Sequence, residues 1–194
     1  ATCVTTIHDI EFLNNEVDGT AMATGAMPFQ GCGGSMVVRG NKFHHMNGDG
    51  GRAHAIYVYA HSSGWLIEKN QIYDNGAYGV HVYDQTENLN HVIQRNYFAR
   101  NGTNGVNGGA VILYGTGHIV RYNIDNNSKS SADASIDIWG STGPIYIYNN
   151  NIYNSAGQGV RNVYGNSGLT CKNNLVIAAA STALNGCEVA STSN

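Results

Sequence analysis

The sequence predicts an all-β solenoid of stacked parallel strands, and three observations predict it. Composition is the first: 194 residues include 25 Gly and as many Asn, with 12 Tyr and only 12% charged residues. That mixture favours turns and strands and argues against helical bundles, coiled coils and disordered chains. The second is a repeat anchored on an Asn two residues before an apolar residue, with Asn spacings of 29, 26, 27, 27 and 23. Self-similarity on that scale, in units of short strands and turns, belongs to a solenoid. The third is a second short strand in each repeat, alternating with period two.

In chain order, residues 1–35 are expected to form an N-terminal coil with a cap or loop. The stretch 14–35, with Asp18-Gly-Thr, Met22, Met27, Pro28 and Gly31-Cys-Gly-Gly, departs from the repeat. Regular coils fill 36–178. Their first strands are carried by Val38-Arg-Gly-Asn41-Lys-Phe43, Ile67-Glu-Lys-Asn70-Gln-Ile72, Ile93-Gln-Arg-Asn96-Tyr-Phe98, Val120-Arg-Tyr-Asn123, Ile147-Tyr-Asn-Asn150-Asn-Ile152 and Cys171-Lys-Asn173-Asn-Leu175. The Asn of each is expected to stack at one corner, to tolerate a left-handed backbone and to hydrogen-bond to the next coil. The second strands are Ala55–Tyr59, Gly79–Tyr83, Gly109–Leu113, Ser135–Trp139 and Gly159–Val163. Alternation directs Ile56, Val58, Val80, Val82, Ala110, Ile112, Ile136 and Ile138 inward. Residues 179–194 are expected to be a C-terminal cap and tail, and the whole of 1–194 one domain.

These repeats resemble the right-handed parallel β-helix proteins of polysaccharide metabolism, over roughly residues 35–178. The resemblance implies a right-handed β-helix of about six to seven coils. The stretch Asn70-Gln-Ile-Tyr-Asp-Asn-Gly-Ala-Tyr78-Gly-Val-His81-Val-Tyr83-Asp84-Gln-Thr86, continued by Asn88-Leu-Asn and Asn101-Gly-Thr-Asn-Gly, resembles the catalytic coil of mannuronan C5-epimerases. Tyr78-Gly79 match that pattern, His81 stands where its acidic residue falls, and Tyr83 where its His falls.

Since inward residues build the core, function is expected on the outward columns. One is Tyr57, His81, Val111, Asp137 and Arg161; the next is Tyr59, Tyr83, Leu113, Trp139 and Val163, flanked by His54, His61, Tyr78 and Gln85. Aromatic faces and neutral polar groups on a flat ladder suit a sugar chain. Lyases and C5-epimerases of uronate polymers remove a proton beside a carboxylate, which requires a base, an acid and a neutralising cation. His81 is the candidate base, Tyr83 or Tyr78 the acid, and Arg161 or a bound cation the neutraliser. Arg161, three coils away, would serve a neighbouring sugar subsite. His54, Tyr57, Tyr59, His61, Asp84, Asp137, Trp139 and Arg161 are the candidate substrate contacts. The expectation is a secreted lyase or epimerase acting on an acidic polysaccharide. The alternatives are a non-catalytic carbohydrate-binding module and a structural protein that self-assembles into filaments.

The net charge of −3, with ten Lys and Arg spread thinly, gives no nucleic-acid footprint, and no apolar run is long enough to span a membrane. Cys3 with Cys32 and Cys171 with Cys187 form two local pairs, of three pairings four cysteines allow, each disulfide contributing about 3 kcal/mol. They favour an oxidising compartment. Asn101-Gly-Thr and Asn126-Asn-Ser are glycosylation sequons. No metal ligands are assigned and no cofactor is implied, calcium being the one ion that the oxygen-bearing loops Asn47–Gly51, Asp84 with Glu87, and Asp125-Asn-Asn could take. Turn chemistry explains those loops equally well. His44 and His45, adjacent in sequence, are expected on opposite faces, and His8, His91 and His118 to be solvated or core residues.

Overall fold

The computed structural model describes residues 7–21, 29–47, 51–83, 88–141 and 143–187. Within them the chain winds through seven coils of three short strands. The first holds β1 (Glu11–Leu13), β2 (Glu16–Asp18) and β3 (Phe29–Gly31); the second β4 (Val37–Arg39), β5 (Lys42–His44) and β6 (Ile56–Val58). Next come β7 (Leu66–Glu68), β8 (Gln71–Tyr73) and β9 (Val80–Val82), then β10 (Val92–Gln94), β11 (Tyr97–Ala99) and β12 (Val111–Leu113). The fifth coil is β13 (His118–Arg121), β14 (Ile124–Asn126) and β15 (Ala134–Ile138); the sixth β16 (Ile145–Tyr148), β17 (Asn151–Tyr153) and β18 (Gln158–Asn162). The last is β19 (Leu169–Lys172), β20 (Leu175–Ile177) and β21 (Leu184–Asn185). Corresponding strands pair in parallel, so three seven-stranded sheets wall the solenoid. Regular strands thus begin at Glu11, ahead of the first Asn-anchored repeat.

The corner between the first and second sheets is an amide ladder. Asn96 Oδ1 accepts from both the backbone N–H and the Nδ2 of Asn70, each at 3.0 Å. Its own Nδ2 donates to Ile67 O at 2.9 Å and to Asn123 Oδ1 at 3.1 Å. The same pattern links Asn41, Asn70, Asn123 and Asn150. At the final coil the rung is Asn174, not Asn173 as the alignment predicts. The left-handed residue is also not the ladder Asn but the one before it, including Lys69 (φ 56), Arg95 (φ 55), Tyr122 (φ 57) and Asn173 (φ 53). Side chains that avoid this conformation by 1 kcal/mol or more adopt it because the buried Asn that follows fixes the turn.

A parallel device closes the corner after the second sheet. Asn75 Nδ2 donates to Asn101 Oδ1 at 2.8 Å, and Ser128 and Ser155 are buried one and two coils further on. Asn101 is fully buried, with its amide donating to Ile72 O at 3.0 Å, so this sequon is closed to glycosylation. At the entry to the first sheet His91 and His118 play the ladder role: Trp65 N donates to His91 Nδ1 and His91 N to His118 Nδ1, with the two rings stacked 5.0 Å apart.

Inside, apolar columns run along the axis, such as Val38, Ile67, Ile93, Val120 and Ile147, and an aromatic cluster of Phe12, Phe29, Phe43 and Trp65 fills the N-terminal end. Inward alternation holds for Ile56, Val58, Val80, Val82, Ile136 and Ile138 but slips by one residue in β12. Val111 and Leu113 pair with Val80 and Val82 and face the core, whereas Ile112 pairs with His81 and Asp137 on the outer face. The turn ahead of β12 is one residue longer than the repeat alignment allows. Close packing leaves no room there: a Cβ on Gly109 would lie 2.1 Å from Ala134 O.

Cys171 and Cys187 are joined, with Cα atoms 5.5 Å apart, tying β19 to the chain beyond β21. Cys32 is also disulfide-bonded; Cys3, its expected partner, lies outside the described residues. Asp125, expected in a loop, instead points into the core from β14 between Phe98 and Ile152. It lines a small cavity, Ser128 Oγ donates to its Oδ2 at 2.6 Å, and Oδ1 has no partner among the described residues.

Two predictions follow from these placements. Asn96→Leu leaves buried donors and acceptors of Asn70, Ile67 and Asn123 unpaired, so urea unfolding should show a loss of about 3 kcal/mol or more, while Asn173→Gly at the exposed left-handed position should cost less than about 1 kcal/mol. Burial raises the Asp125 carboxyl to about 6, so the native state holds a proton that the unfolded chain releases, and stability falls as pH rises from about 4 through 6. Asp125→Asn should therefore exceed the wild type by up to about 3 kcal/mol at pH 7, with the advantage gone near pH 4.

Candidate functional site

The outer face of the third sheet collects the candidate residues. Its register places Gln30, Tyr57, His81, Ile112, Asp137 and Arg161 in one column. A second column begins where each strand ends. Tyr59, Tyr83, Tyr114 and Trp139 each donate their backbone N–H to the coil before, at 2.8 to 3.1 Å, so the ladder itself sets their spacing. Ring centroids run 6.2 Å from Tyr59 to Tyr83, 6.0 Å to Tyr114, 6.4 Å to Trp139 and 5.4 Å to Tyr164. Tyr83 and Tyr164 are exposed and the others half-buried.

Tyr114 and Tyr164 are absent from the sequence-derived set. The slipped register in β12 put Leu113 where Tyr114 stands; Val163 does follow Trp139 in the backbone ladder, its N–H donating to Ile138 O at 3.0 Å, but the ring that meets Trp139 is that of Tyr164, one residue on. The missed signal is that Tyr114 follows Val-Ile-Leu just as Tyr83 follows Val-His-Val.

The first column is enclosed and polar. Tyr78 N donates to His54 Nδ1 at 3.2 Å, so neutral His54 carries its proton on Nε2, and that nitrogen lies 2.8 Å from His81 Nδ1. His81 Nδ1 therefore accepts, and its own proton sits on Nε2, a buried atom with no partner among the described residues. The rings of Tyr57, Tyr83 and Tyr114 surround it at 4.9, 5.6 and 6.0 Å. Burial pushes His54 down to about 4 and, with the neighbouring His54, holds His81 well below the ordinary imidazole value. His81 is thereby arranged as a neutral hydrogen-bond donor rather than as a base. Burial also lifts the Tyr57 phenol, against the opposing pull of the exposed Arg52, a cation beside the ladder that sequence reasoning passed over.

Tyr78, Asp137 and Arg161 form a closed network. Tyr78 is buried and its phenol donates to Asp137 Oδ2; burial first, and then the Asp137 charge, raise that phenol well above its usual value. Arg161 grips Asp137 through Nε at 2.6 Å and Nη2 at 2.8 Å, Asp133 through Nη2 at 2.7 Å and Ala132 O through Nη1 at 2.6 Å. Asp137 is itself fully buried. Through these three residues the third coil is tied to the fifth and the fifth to the sixth, and none of them presents a free acid or cation outward. His61 follows Tyr59 on an exposed bend with φ 61, and Asp84 lies outside the described residues. Trp139 keeps its ring on the ladder, with a buried Nε1 that has no partner among the described residues.

Three parallel sheets around an apolar axis, one of them carrying an aromatic column on its outer face, define a parallel β-solenoid. The family described as right-handed β-helix region matches residues 2–152 and again 54–194, and the chain belongs to that family. No curated protein matches the sequence. Among solved structures the chain is similar to an alginate lyase from Paenibacillus sp. str. FPU-7, with 14% identity, a TM-score of 0.47, and coverage of 84% of this chain and 76% of that one. A likeness of that degree says nothing about activity.

The histidine relay sets the pH response. Because the folded-state values of His54 and His81 lie below the unfolded value near 6.5, the unfolded chain binds more protons in acid. Stability should therefore be lost as pH falls from about 6.5 towards 4. Nitrogen-15 spectra should show both rings neutral and protonated on Nε2 at pH 7, and a spectrum with His81 protonated on Nδ1 would contradict the relay.

Proposed function

We propose that the protein binds a polysaccharide lengthwise along the column Tyr59, Tyr83, Tyr114, Trp139 and Tyr164. The observation that carries this reading is the continuous aromatic column, with steps of 5.4 to 6.4 Å along the solenoid axis. Sugar C–H faces stack on such rings, one per coil, while hydroxyls require neutral donors and acceptors. The indole Nε1–H of Trp139 and the Nε2–H of His81 are buried donors beside the column that have no partner among the described residues, and each would gain one from a sugar oxygen. The oxidised cysteines support an extracytoplasmic setting, where such polymers occur.

A second reading, uronate lyase or epimerase chemistry, is favoured by one observation. His81 Nε2–H points from a dry aromatic box beside the exposed phenol of Tyr83, with ring centroids 5.6 Å apart. His81 would then donate to the uronate carboxylate and Arg52 would neutralise it. Tyr83, as the phenolate, would take the C5 proton. In a lyase that proton would pass to the leaving glycosidic oxygen as the C4–O bond breaks and the C4–C5 double bond forms. In an epimerase another group would return a proton from the opposite face.

Titration calorimetry with alginate, pectate and a neutral glucan tests the first reading. Tyr83→Ala and Tyr114→Ala should each weaken binding about tenfold, as expected for one lost stacking contact. Absence of binding to any polymer, or binding indifferent to both substitutions, overturns it. Ultraviolet absorbance of unsaturated ends and proton exchange at C5 test the second: Tyr83→Phe should abolish turnover while keeping affinity, and binding with no turnover leaves a binding module.

A further inference from the structure

Outside the aromatic column, at the end of the second sheet, three metal-ligating side chains converge. His44 Nδ1 lies 2.7 Å from His45 Nδ1, and Asp18 Oδ1 is 3.6 Å from the first and 3.7 Å from the second. Adjacent residues on a strand should point to opposite faces. His44 ends β5, however, and His45 is the left-handed residue of that corner (φ 55), which swings its ring back onto the side of His44. Asp18 closes β2 one coil earlier and pairs with His44 across the sheet.

Each ligand is held by a further contact. His44 Nε2 lies 3.1 Å from Glu16 Oε1, which fixes the proton on Nε2 and leaves Nδ1 as an acceptor facing His45 Nδ1, and the ring stacks on Tyr73 at 5.0 Å and 9°. A carboxylate behind a ligating imidazole is the arrangement that orients it and raises its basicity. Thr20 donates to Asp18 Oδ1 through its hydroxyl at 2.6 Å and its N–H at 2.9 Å, which holds the carboxylate in place. Between these two corners Gly19 permits the approach, since a Cβ there would lie 2.6 Å from Met46 Sδ and 2.7 Å from His45 O.

We propose that His44, His45 and Asp18, backed by Glu16, form a site for a divalent transition-metal ion of the zinc type, clamping the first coil to the second. Neighbouring ligands at zinc–nitrogen and zinc–oxygen lengths stand about 3 Å apart, and the three separations here bracket that value. Two imidazoles and one carboxylate suit zinc and its neighbours in the first transition row better than calcium. The side chains of His45 and Asp18 are half exposed, 49% and 52%, which gives the ion an entry path and leaves the remaining positions to solvent.

Zinc chloride titrated calorimetrically into the chelator-treated protein tests the assignment. One equivalent should bind and raise the melting temperature. His45→Asn, which retains a residue tolerant of the left-handed turn, and Asp18→Asn, which keeps an oxygen for Thr20, should each weaken binding by at least about tenfold with unchanged circular dichroism; Glu16→Gln should weaken it about tenfold through the lost second contact. His8→Ala, removing the exposed imidazole beside Asp9, should change nothing. The proposal is overturned if the wild type binds no zinc saturably up to about 1 mM, if His45→Asn and Asp18→Asn bind as the wild type does, or if His8→Ala is the substitution that removes binding.

Discussion

The fold depends on the corner amides. A solenoid of three-residue strands has little ladder hydrogen bonding per strand, and each turn would bury backbone groups that a neighbouring strand cannot reach. An Asn side chain solves both problems because it offers two donors and two acceptor sites at one point. Asn70, Asn96, Asn123 and Asn150 each use all four, tying a backbone carbonyl and a backbone N–H of the previous coil to the amide of the next. The cost is a left-handed residue immediately before each Asn, whether or not that residue favours the conformation. That Lys69, Arg95 and Tyr122 all accept it shows how strongly the following amide determines the turn.

This constraint also explains what the sequence discloses and what it withholds. The repeat is legible because the Asn and the inward apolar residue two positions later are both obligatory. Single-residue shifts are not legible, because the turns between coils vary in length and carry no such requirement. The longer turn before β12 moved Leu113 inward and Tyr114 outward, and the adjacent pair Asn173 and Asn174 left two candidates for one rung. Composition gave no means of placing His45, whose direction is decided by a backbone torsion at the corner rather than by alternation. The aromatic column was partly visible through Tyr59, Tyr83 and Trp139, whereas the sealing of Tyr78, Asp137 and Arg161 required three-dimensional contacts between coils as much as 59 residues apart in the chain before they could be seen as partners.

The outer face of the third sheet divides between groups that hold coils together and rings that stay accessible to solvent. In the first column and the residues just ahead of it the polar groups satisfy one another across coils: Tyr78 to Asp137, Asp137 to Arg161, and His54 to His81. In the second column the rings touch but their outer faces stay in reach of solvent. A side chain in the first column stands nearer the middle of its strand, flanked by the coils on either side, and is buried by the ring that follows it. A side chain in the second column leaves at the strand end, where the chain turns away. The same register that stacks the rings therefore decides which of them remain available.

Neutrality on this face follows from that layering. A charge in the first column must be paired inside the sheet, since little water reaches it, and Arg161 with Asp133 and Asp137 meets that condition. Imidazoles there stay uncharged, and their tautomers are dictated from the backbone outward: the Tyr78 N–H fixes His54, His54 fixes His81, and the last proton is delivered to Nε2 beneath Tyr83. The direction and charge state of that donor are therefore set by the fold itself, before anything meets the rings. Under the proposed reading, an oxygen-rich polymer lying along the coils would use that donor and the ring faces together.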